Sequence, residues 1–492
     1  MARRYGELVP SPRLVYTLGD SAIAEGLRAI RDELHITDDF SPDIEAAAAD
    51  AANRRFTAGT DHVDARAVPF VTIDPPGSTD LDQAYHAEPT ALGYRVHYAI
   101  ADVAAFCDLG TALATEALER GVTLYAPDRR APIYPTALSE GAASLLPGVD
   151  RPALLWTIDV GRDGSLGDAT VERALVQSRE KLSYDDAQSR IDNGVADESL
   201  RLLRDIGRAR IAQEEQRGAV SLSLPEQQLE RVAGGYTLRF RATLPVEQWN
   251  AQISLLTGIA AARIMVAGGV GLLRTLPPPT ADTVATLRRA ARVLRIDWPA
   301  SMGYAQRIRT LDPAQHRHAA LMHQAARLFR GAGYLAFDGR APAHAEHSAI
   351  ASTYAHVTAP LRRVGDRYAN EVVLSLCAGR PVPTDVRAAL AGLPGVLGRA
   401  QQRQNALDRA ALDLGESLAL SDRVGQVFTA AVVNLDQRRA VIEIAEPAIV
   451  AEIDPHGVAL GAELRVRLVS VDQRERTLRF ERVRDTAAAP AR

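Results

Sequence analysis

The stretch TIDPPGSTDLDQA, residues 72–84, is the part of the sequence from which the rest can be interpreted. An apolar, strand-like run carries Asp74, a Pro-Pro-Gly turn follows, and Asp80 and Asp82 stand two residues apart with Gln83 directly after. Three carboxylates at a strand end repel one another and add nothing to apolar packing. Oxygen ligands of this kind suit a divalent cation that polarises a phosphoryl group and its attacking water, so the pattern favours phosphoryl chemistry.

Other interpretations of this stretch differ in how well they fit its spacing. Turns enrich aspartate for their own reasons, so the acids can also be a solvated loop after a proline turn. An EF-hand loop needs a glycine after its third ligand and a glutamate at its end, and neither is present. A nucleotidyltransferase would pair Gly77-Ser78 with the acids, but one intervening residue leaves no room for the helix that must cradle a triphosphate.

A second informative stretch is YAHVTAPLRRVGDRYANEVV, residues 354–373. Pro360 fixes the backbone just before Arg362 and Arg363, and a helix-like run follows. Two adjacent arginines held by a proline turn form a fork for a phosphate whose charge grows in the transition state. A salt-bridge pair at the start of a helix is the structural alternative.

A third stretch, residues 124–152, is rich in proline and cannot be a regular helix. It carries Tyr125 and Tyr134, whose rings we expect to be presented for stacking on bases, a contact worth about 1–3 kcal/mol for each base. Half-buried core tyrosines are the alternative.

Composition indicates a globular protein of several domains. The chain has 492 residues, of which 47% are hydrophobic and 24% charged, with a formal net charge of -4. This charge excludes a generally basic surface, so any polyanion site must be a local basic channel. Cys107 and Cys377 are the only cysteines, which excludes a disulfide framework and predicts a reducing, cytoplasmic setting. The apolar run 253–273 carries Arg263 at its centre, which predicts a buried core helix and no membrane partner.

The pattern of predicted helices and strands changes along the chain. Residues 1–66 predict a small helical region, and strands then alternate with helices up to about residue 415, which predicts an α+β core. Five strand candidates with alternating apolar residues lie within 424–485 and suit an OB-type barrel. Long helices are expected at 198–217, 246–267, 280–295 and 313–330.

A histidine-rich set offers a zinc site as a further alternative. Its candidate ligands are His344, Glu346 and His347, with His316, His318 and His323 upstream. Histidines at i and i+3 share a helical face, but Pro342 makes a helix here doubtful and no thiolate assists.

The three stretches together closely resemble the catalytic domain of the ribonuclease II and ribonuclease R family of 3′-to-5′ exoribonucleases. The motifs that carry the resemblance are TID with its spaced aspartates, YRVHYAIADV, YAPDRRAPIYPTALSEGAASLLPG and YAHVTAPLRR, in this order. The resemblance implies an RNB-type catalytic domain of mixed sheet and helices at 67–415, followed by an OB-type RNA-binding barrel at 424–485.

The resemblance also implies roles for individual residues. Asp74, Asp80 and Asp82 match the first three of the family's four metal-binding aspartates, and Gln83 stands in place of the fourth. Asp80, Asp82 and Arg362 are the catalytic candidates. The candidates for RNA binding are Tyr125, Arg362, Arg363 and Asp408.

The implied function is magnesium-dependent hydrolysis of single-stranded RNA from its 3′ end to nucleoside 5′-monophosphates by a cytoplasmic monomer, with manganese as an alternative cation. Two departures from the family matter. The N-terminal region lacks the paired cold-shock barrels, and Gln83 removes one carboxylate from the metal site. Since a neutral oxygen can still bind a cation, an active enzyme and an inactive protein that captures RNA 3′ ends both remain open.

Overall fold

The computed structural model describes residues 14–16, 21–59, 62–220, 226–232, 235–241, 243–312, 315–329 and 331–483. The α-helices in these ranges are α1 (Ser21–Glu33), α2 (Pro42–Ala52), α3 (Ala112–Arg120), α4 (Tyr184–Asp192), α5 (Glu198–Gln216), α6 (Pro245–Gly268), α7 (Ala281–Val293), α8 (Tyr304–Arg309), α9 (His316–Ala325), α10 (Val364–Cys377), α11 (Thr384–Leu390) and α12 (Leu393–Ala419). The four long helices expected from the apolar spacing correspond to α5, α6, α7 and α9, the last extended by a 3-10 turn at Ala326–Phe329.

The strands in the same ranges are β1 (Leu14–Tyr16), β2 (Val63–Asp64), β3 (Phe70–Ile73), β4 (Gln83–Pro89), β5 (Gly93–Ala101), β6 (Leu124–Tyr125), β7 (Arg130–Ala131), β8 (Asp150–Gly161), β9 (Leu166–Leu182), β10 (Glu226–Val232), β11 (Gly235–Arg241), β12 (Val270–Thr275), β13 (Gly333–Asp338), β14 (Glu346–His347), β15 (Ser352–Thr353), β16 (Val427–Leu435), β17 (Ala440–Ile444), β18 (Ile449–Ile453), β19 (Glu463–Asp472) and β20 (Thr477–Arg482).

The largest sheet in the described residues is mixed and closes on itself. Its strand order is β2-β9-β3-β4-β5-β8, and β9 also pairs with β8. The 17-residue β9 makes this closure possible because its first part pairs antiparallel with β8 and its last part pairs parallel with β3. Long buried runs in β5 and β8 form the main core with the helices around the sheet. The α+β architecture expected from the sequence is confirmed.

The loop of residues 74–82 joins β3 to β4 at one end of this sheet. Ser144 fixes it by accepting a hydrogen bond from Leu81 N–H at 2.9 Å and donating one to the Thr79 carbonyl at 2.7 Å. At the end of the loop, the Asp82 carbonyl accepts from Ala101 N–H at 2.9 Å, which continues the pairing of β4 with β5. The acidic stretch is therefore a braced loop rather than a solvated one.

Helix α6 lies in the interior beside this sheet. By length and composition it could cross a membrane, but 61% of its most apolar window is buried inside the protein, which fits the prediction of a core helix. The helix ends at Gly268, and Gly269 follows with φ at 72°, a left-handed conformation that glycine adopts without strain. At its middle, Gly258 lies against the Tyr354 ring, where no Cβ would fit.

The C-terminal strands form a nearly closed antiparallel barrel with the order β18-β17-β16-β19-β20. Its five strands confirm the predicted OB-type barrel. Residues 484 and 485 of the range 424–485 lie outside the described residues. A buried cluster that includes Leu27 of α1, Leu414 of α12 and Val432 of β16 joins the N-terminal helix, the last helix and the barrel.

The N-terminal region is mainly helical, as predicted. Helix α2 begins with Ser41 as N-cap, which accepts a hydrogen bond from Ile44 N–H, and with Pro42 in the first turn. Strand β1 adds an element that was not expected, since it pairs in parallel with β10 of the β10–β11 hairpin. The helices refer to the described part of this region, since residues 1–13, 17–20, 60 and 61 lie outside the described ranges.

Candidate active site

Asp82 is held at the end of the acidic loop by two groups from the second informative stretch. Its Oδ1 accepts a hydrogen bond from Leu361 N–H at 2.8 Å, and its Oδ2 lies 3.0 Å from Arg362 Nε. The Arg362 N–H is not aimed at this oxygen, so the contact is an ion pair rather than a hydrogen bond. Burial raises the pKa of Asp82 to about 7, while the Arg362 charge opposes this rise and the Asp80 charge adds to it.

Asp74 follows β3 directly, and its backbone N–H donates to the Leu182 carbonyl of β9 at 3.0 Å. Its side chain keeps partial exposure at the surface. The dense protein around it nevertheless raises its pKa to about 7, with Arg362 opposing and Asp80 adding to the rise. Asp74 and Asp82 thus face the same two charges, as the sequence predicts for one shared site.

Asp80 is paired with groups from the β6–β7 hairpin. The Tyr125 hydroxyl donates to its Oδ2 at 2.8 Å, and Arg130 Nη1 donates to its Oδ1 through a very short contact. Arg130 also lies 2.6 Å from Glu140 Oε1. Sequence reasoning did not single out Arg130, because it stands in a run of polar loop residues with no periodicity to mark it.

Gln83 is the first residue of β4 and is paired there with Ile100 of β5. Its Nε2 donates to the Thr358 carbonyl through a short hydrogen bond. The amide therefore ties the acidic loop to the segment that carries Arg362, which a carboxylate at this position could not do because it has no donor.

Arg362 and Arg363 have different surroundings. The backbone around them pairs with the start of β6, where Thr123 N–H donates to the Arg362 carbonyl at 2.8 Å. Arg363 is committed to Asp366 through two hydrogen bonds of 3.0 and 2.8 Å. Asp366 also accepts from Ala359 N–H at 2.8 Å. The helix-start salt bridge, considered as the alternative for this pair, is present at Arg363, whose RNA contact stays a prediction.

The expectation that both tyrosine rings are presented is wrong. Tyr134 is completely buried and Tyr125 is only 9% exposed, because the proline-rich segment folds back onto the core rather than running over the surface. Tyr125 is fixed at its backbone as well, since its N–H donates to Gln404 Oε1 at 2.9 Å. Gln404 Nε2 in turn donates to Asp408 Oδ1 at 2.7 Å. The sequence offered no signal for Gln404, which links two of the predicted RNA-binding residues.

The residues fit a hard divalent cation only in part. Among the described residues, no three His, Cys, Asp or Glu side chains converge as a group that could hold a metal. Asp80 is turned to Arg130, and the Gln83 nitrogen is used by Thr358. Burial raises the pKa of both Asp74 and Asp82 more than Arg362 lowers it, and a cation beside them would favour their charged forms. Asp74 and Asp82 are therefore the side chains that would hold such an ion.

The zinc alternative is not supported. His347 lies in the short strand β14 rather than in a helix, so it does not share a helical face with His344. It is buried, and burial lowers its pKa to about 3. The side chains of His316 and His323 lie outside the described part of the chain.

Two family models match this chain, and together they cover most of it. The RNB domain family model matches residues 62–378, and that of the RNase II-type exonuclease C-terminal S1 domain matches residues 426–483. The exosome complex exonuclease RRP44 homolog A of Arabidopsis thaliana is 27% identical over 337 residues, covering 65% of this chain and 36% of that protein. Exoribonuclease 2 of Vibrio parahaemolyticus is 31% identical over 193 residues, covering 38% and 29%. The chain spans about a third of the length of these curated relatives.

Solved structures share the fold. RNase R of Mycoplasma genitalium, in complex with ribose-methylated single-stranded RNA, matches with a TM-score of 0.83 at 18% identity, covering 94% of this chain and 78% of that one. Yeast Ssd1, a pseudonuclease, matches with a TM-score of 0.70 at 14% identity, covering 91% and 58%.

Proposed function

The chain belongs to the RNB-domain family of 3′-to-5′ exoribonucleases, and from this premise we propose that it hydrolyses single-stranded RNA from the 3′ end to nucleoside 5′-monophosphates with a divalent cation. The single observation that carries the proposal is the grouping of Asp74, Asp82 and Arg362. It joins two carboxyl groups of raised pKa to one guanidinium across the acidic and arginine stretches.

Asp74 and Asp82 would hold the cation, magnesium or manganese. When bound, such a cation polarises the scissile phosphodiester and lowers the pKa of the attacking water. The Leu361 N–H fixes Asp82 Oδ1, so one oxygen of this carboxylate keeps its orientation whatever binds the other. Burial, and to a smaller extent the charges of Asp74 and Asp82, raise the pKa of Tyr98 well above its usual range, so its phenol stays neutral.

Arg362 would stabilise the charge that develops on the phosphate. Its Nε lies 3.0 Å from Asp82 without a well-directed hydrogen bond, so this N–H remains available to a phosphate. Loss of a preorganised donor aimed at a developing charge typically costs about 10²–10³ in rate, and we expect a loss of this order for Arg362→Gln. Arg363 would instead keep the 359–362 turn in place through Asp366.

We further propose that RNA passes beside the β6–β7 hairpin. Tyr125 and Asp408, which Gln404 connects, lie along this side of the site and would contact the 3′-terminal nucleotide. Because the Tyr125 ring is buried, stacking on it requires the hairpin to move when RNA binds. We propose that the protein is a cytoplasmic monomer. A reducing compartment suits its two cysteines, which are both free thiols.

The second candidate function is capture of RNA 3′ ends without hydrolysis. Gln83 favours it, because its amide is already bonded to Thr358 and cannot supply the charge of a fourth carboxylate. Ssd1, of the same fold, is described as a pseudonuclease, so inactive proteins exist on this scaffold.

The experiment is incubation of the purified protein with a 5′-labelled single-stranded RNA and magnesium or manganese. Asp82→Asn serves as the inactive control. A descending ladder of shortened RNA, absent in the control, supports the exoribonuclease. RNA that is retained in a binding assay but stays intact supports the 3′-end binder, and RNA that is neither bound nor cut refutes both candidates.

A further inference from the structure

Both carboxylate oxygens of Asp80 are occupied by donors from one hairpin. Tyr125 and Arg130 lie directly opposite each other in the pairing of β6 with β7. The tyrosine hydroxyl bonds Oδ2 at 2.8 Å, and the guanidinium bonds Oδ1. The hairpin therefore occupies both oxygens of Asp80 with its own donors.

Arg130 is itself held between two acids. Its second terminal nitrogen lies 2.6 Å from Glu140 Oε1 and also contacts the Thr79 hydroxyl. The side chains of Arg130 and Asp80 keep 18% and 12% exposure, so the pair forms part of the wall of the site rather than of the core. A ligand in the site can contact the Arg130 guanidinium. Glu140 would still bind this guanidinium after the guanidinium had separated from Asp80.

We propose that Arg130 is a positioning residue that withholds Asp80 from the cation until RNA arrives. The inference rests on the proposed function and concerns how the same site is switched on. A phosphate of the incoming RNA takes over the Arg130 guanidinium, and Asp80 then becomes a further ligand of the cation. A guanidinium fork matches a phosphate better than a single carboxylate oxygen, and a carboxylate released from arginine is a stronger ligand for a hard cation.

The proposal makes cation binding and RNA binding cooperative. By thermodynamic linkage, RNA must tighten cation binding by the same factor by which the cation tightens RNA binding. A protein without RNA would hold its cation weakly, because Asp80 is paired with Arg130 and Tyr125 and does not serve as a ligand.

The test is a calorimetric titration of the full chain with Mn²⁺ in the absence of RNA. We expect Arg130→Gln to bind Mn²⁺ at least about tenfold more tightly than the wild type, which is about 1.4 kcal/mol. Arg130→Lys keeps the charge and should restore weak binding. If Arg130 only supports the loop, its loss should leave Mn²⁺ affinity unchanged or weaken it, and this result overturns the proposal.

A second titration is made with a saturating 2′-O-methyl oligonucleotide, which resists cleavage. The wild type should then bind Mn²⁺ at least about tenfold more tightly than without the oligonucleotide, whereas Arg130→Gln should show no further gain. Equal gains in both proteins would refute the coupling. If circular dichroism shows that Arg130→Gln does not fold, Tyr125→Phe replaces it, because this change frees the other oxygen of Asp80. Tyr125→Phe should tighten Mn²⁺ binding by about threefold. An unchanged Mn²⁺ affinity in this variant would overturn the proposal.

The failure of this inference can be told apart from that of the proposed function. A wild type that neither binds nor degrades RNA refutes the function, and the coupling with it. A wild type that degrades RNA, with Mn²⁺ affinity unaffected by Arg130→Gln, overturns the inference alone.

Discussion

Replacing Gln83 with aspartate should lower the stability of the metal-free protein and raise its affinity for the cation. The aspartate cannot donate to the Thr358 carbonyl, and a lost hydrogen bond of this kind costs about 1 kcal/mol. It also adds a negative charge beside Asp74, Asp80 and Asp82. Two like charges about 5 Å apart repel by about 3 kcal/mol at an effective dielectric constant of about 20. We expect Gln83→Asp to lower the free energy of unfolding by about 3–4 kcal/mol when the cation is removed with a chelator.

The assay is urea denaturation of the wild type and of Gln83→Asp, first with chelator and then with excess Mn²⁺. Gln83→Asn is the matched control, because it has the same shorter side chain but stays neutral and keeps an amide donor. In Mn²⁺ the aspartate variant should recover most of the loss and the asparagine variant little, because binding to the folded state alone stabilises it. Equal free energies of unfolding for the two variants under both conditions would refute the electrostatic reasoning.

Other consequences can be measured on the same protein. Arg362→Gln should slow single-turnover cleavage of labelled RNA by about 10²–10³, while its RNA affinity, measured by fluorescence anisotropy, changes far less; a rate within threefold of the wild type would exclude a role in the transition state. Gly258→Ala should lower the free energy of unfolding by about 3 kcal/mol in urea, because the new Cβ would stand 2.2 Å from the Tyr354 ring and 2.5 Å from the Ala355 carbonyl; an unchanged midpoint would show that α6 can shift. His347 has a pKa of about 3 when folded and about 6.5 when unfolded, so as the pH falls below 6.5 the unfolded state takes up a proton that the folded state does not, and stability is lost. Between pH 6.5 and 5 this loss should be about 2 kcal/mol, and a His347→Gln variant with the same pH dependence as the wild type would contradict it.

Much of the fold could be predicted because local patterns matched the final elements. The helices α5 and α7 and the alternating apolar residues of the C-terminal strands each depend on neighbours in sequence, and the structure has them where they were expected. The acidic and arginine stretches also meet, as Asp82 and Arg362 show.

The partners inside the site could not be predicted in the same way. Arg130 and Asp80 are 50 residues apart, and Gln404 and Tyr125 are 279 apart, so no local pattern marks either pair. The burial of Tyr134 was missed for a related reason. Proline excludes a regular helix, but it does not decide whether a loop runs over the surface or folds back into the core.

The hydrogen bond between Leu361 N–H and Asp82 spans 279 residues, and this separation matters while the protein is being made. At about 5–20 residues per second, a ribosome needs roughly 14–56 s after adding Asp82 before it adds Leu361. During this interval the growing chain has its acidic loop but neither Arg362 nor the backbone donor that orients Asp82. The grouping of Asp74, Asp82 and Arg362 on which the proposed hydrolysis depends is therefore incomplete until most of the RNB domain has been synthesised.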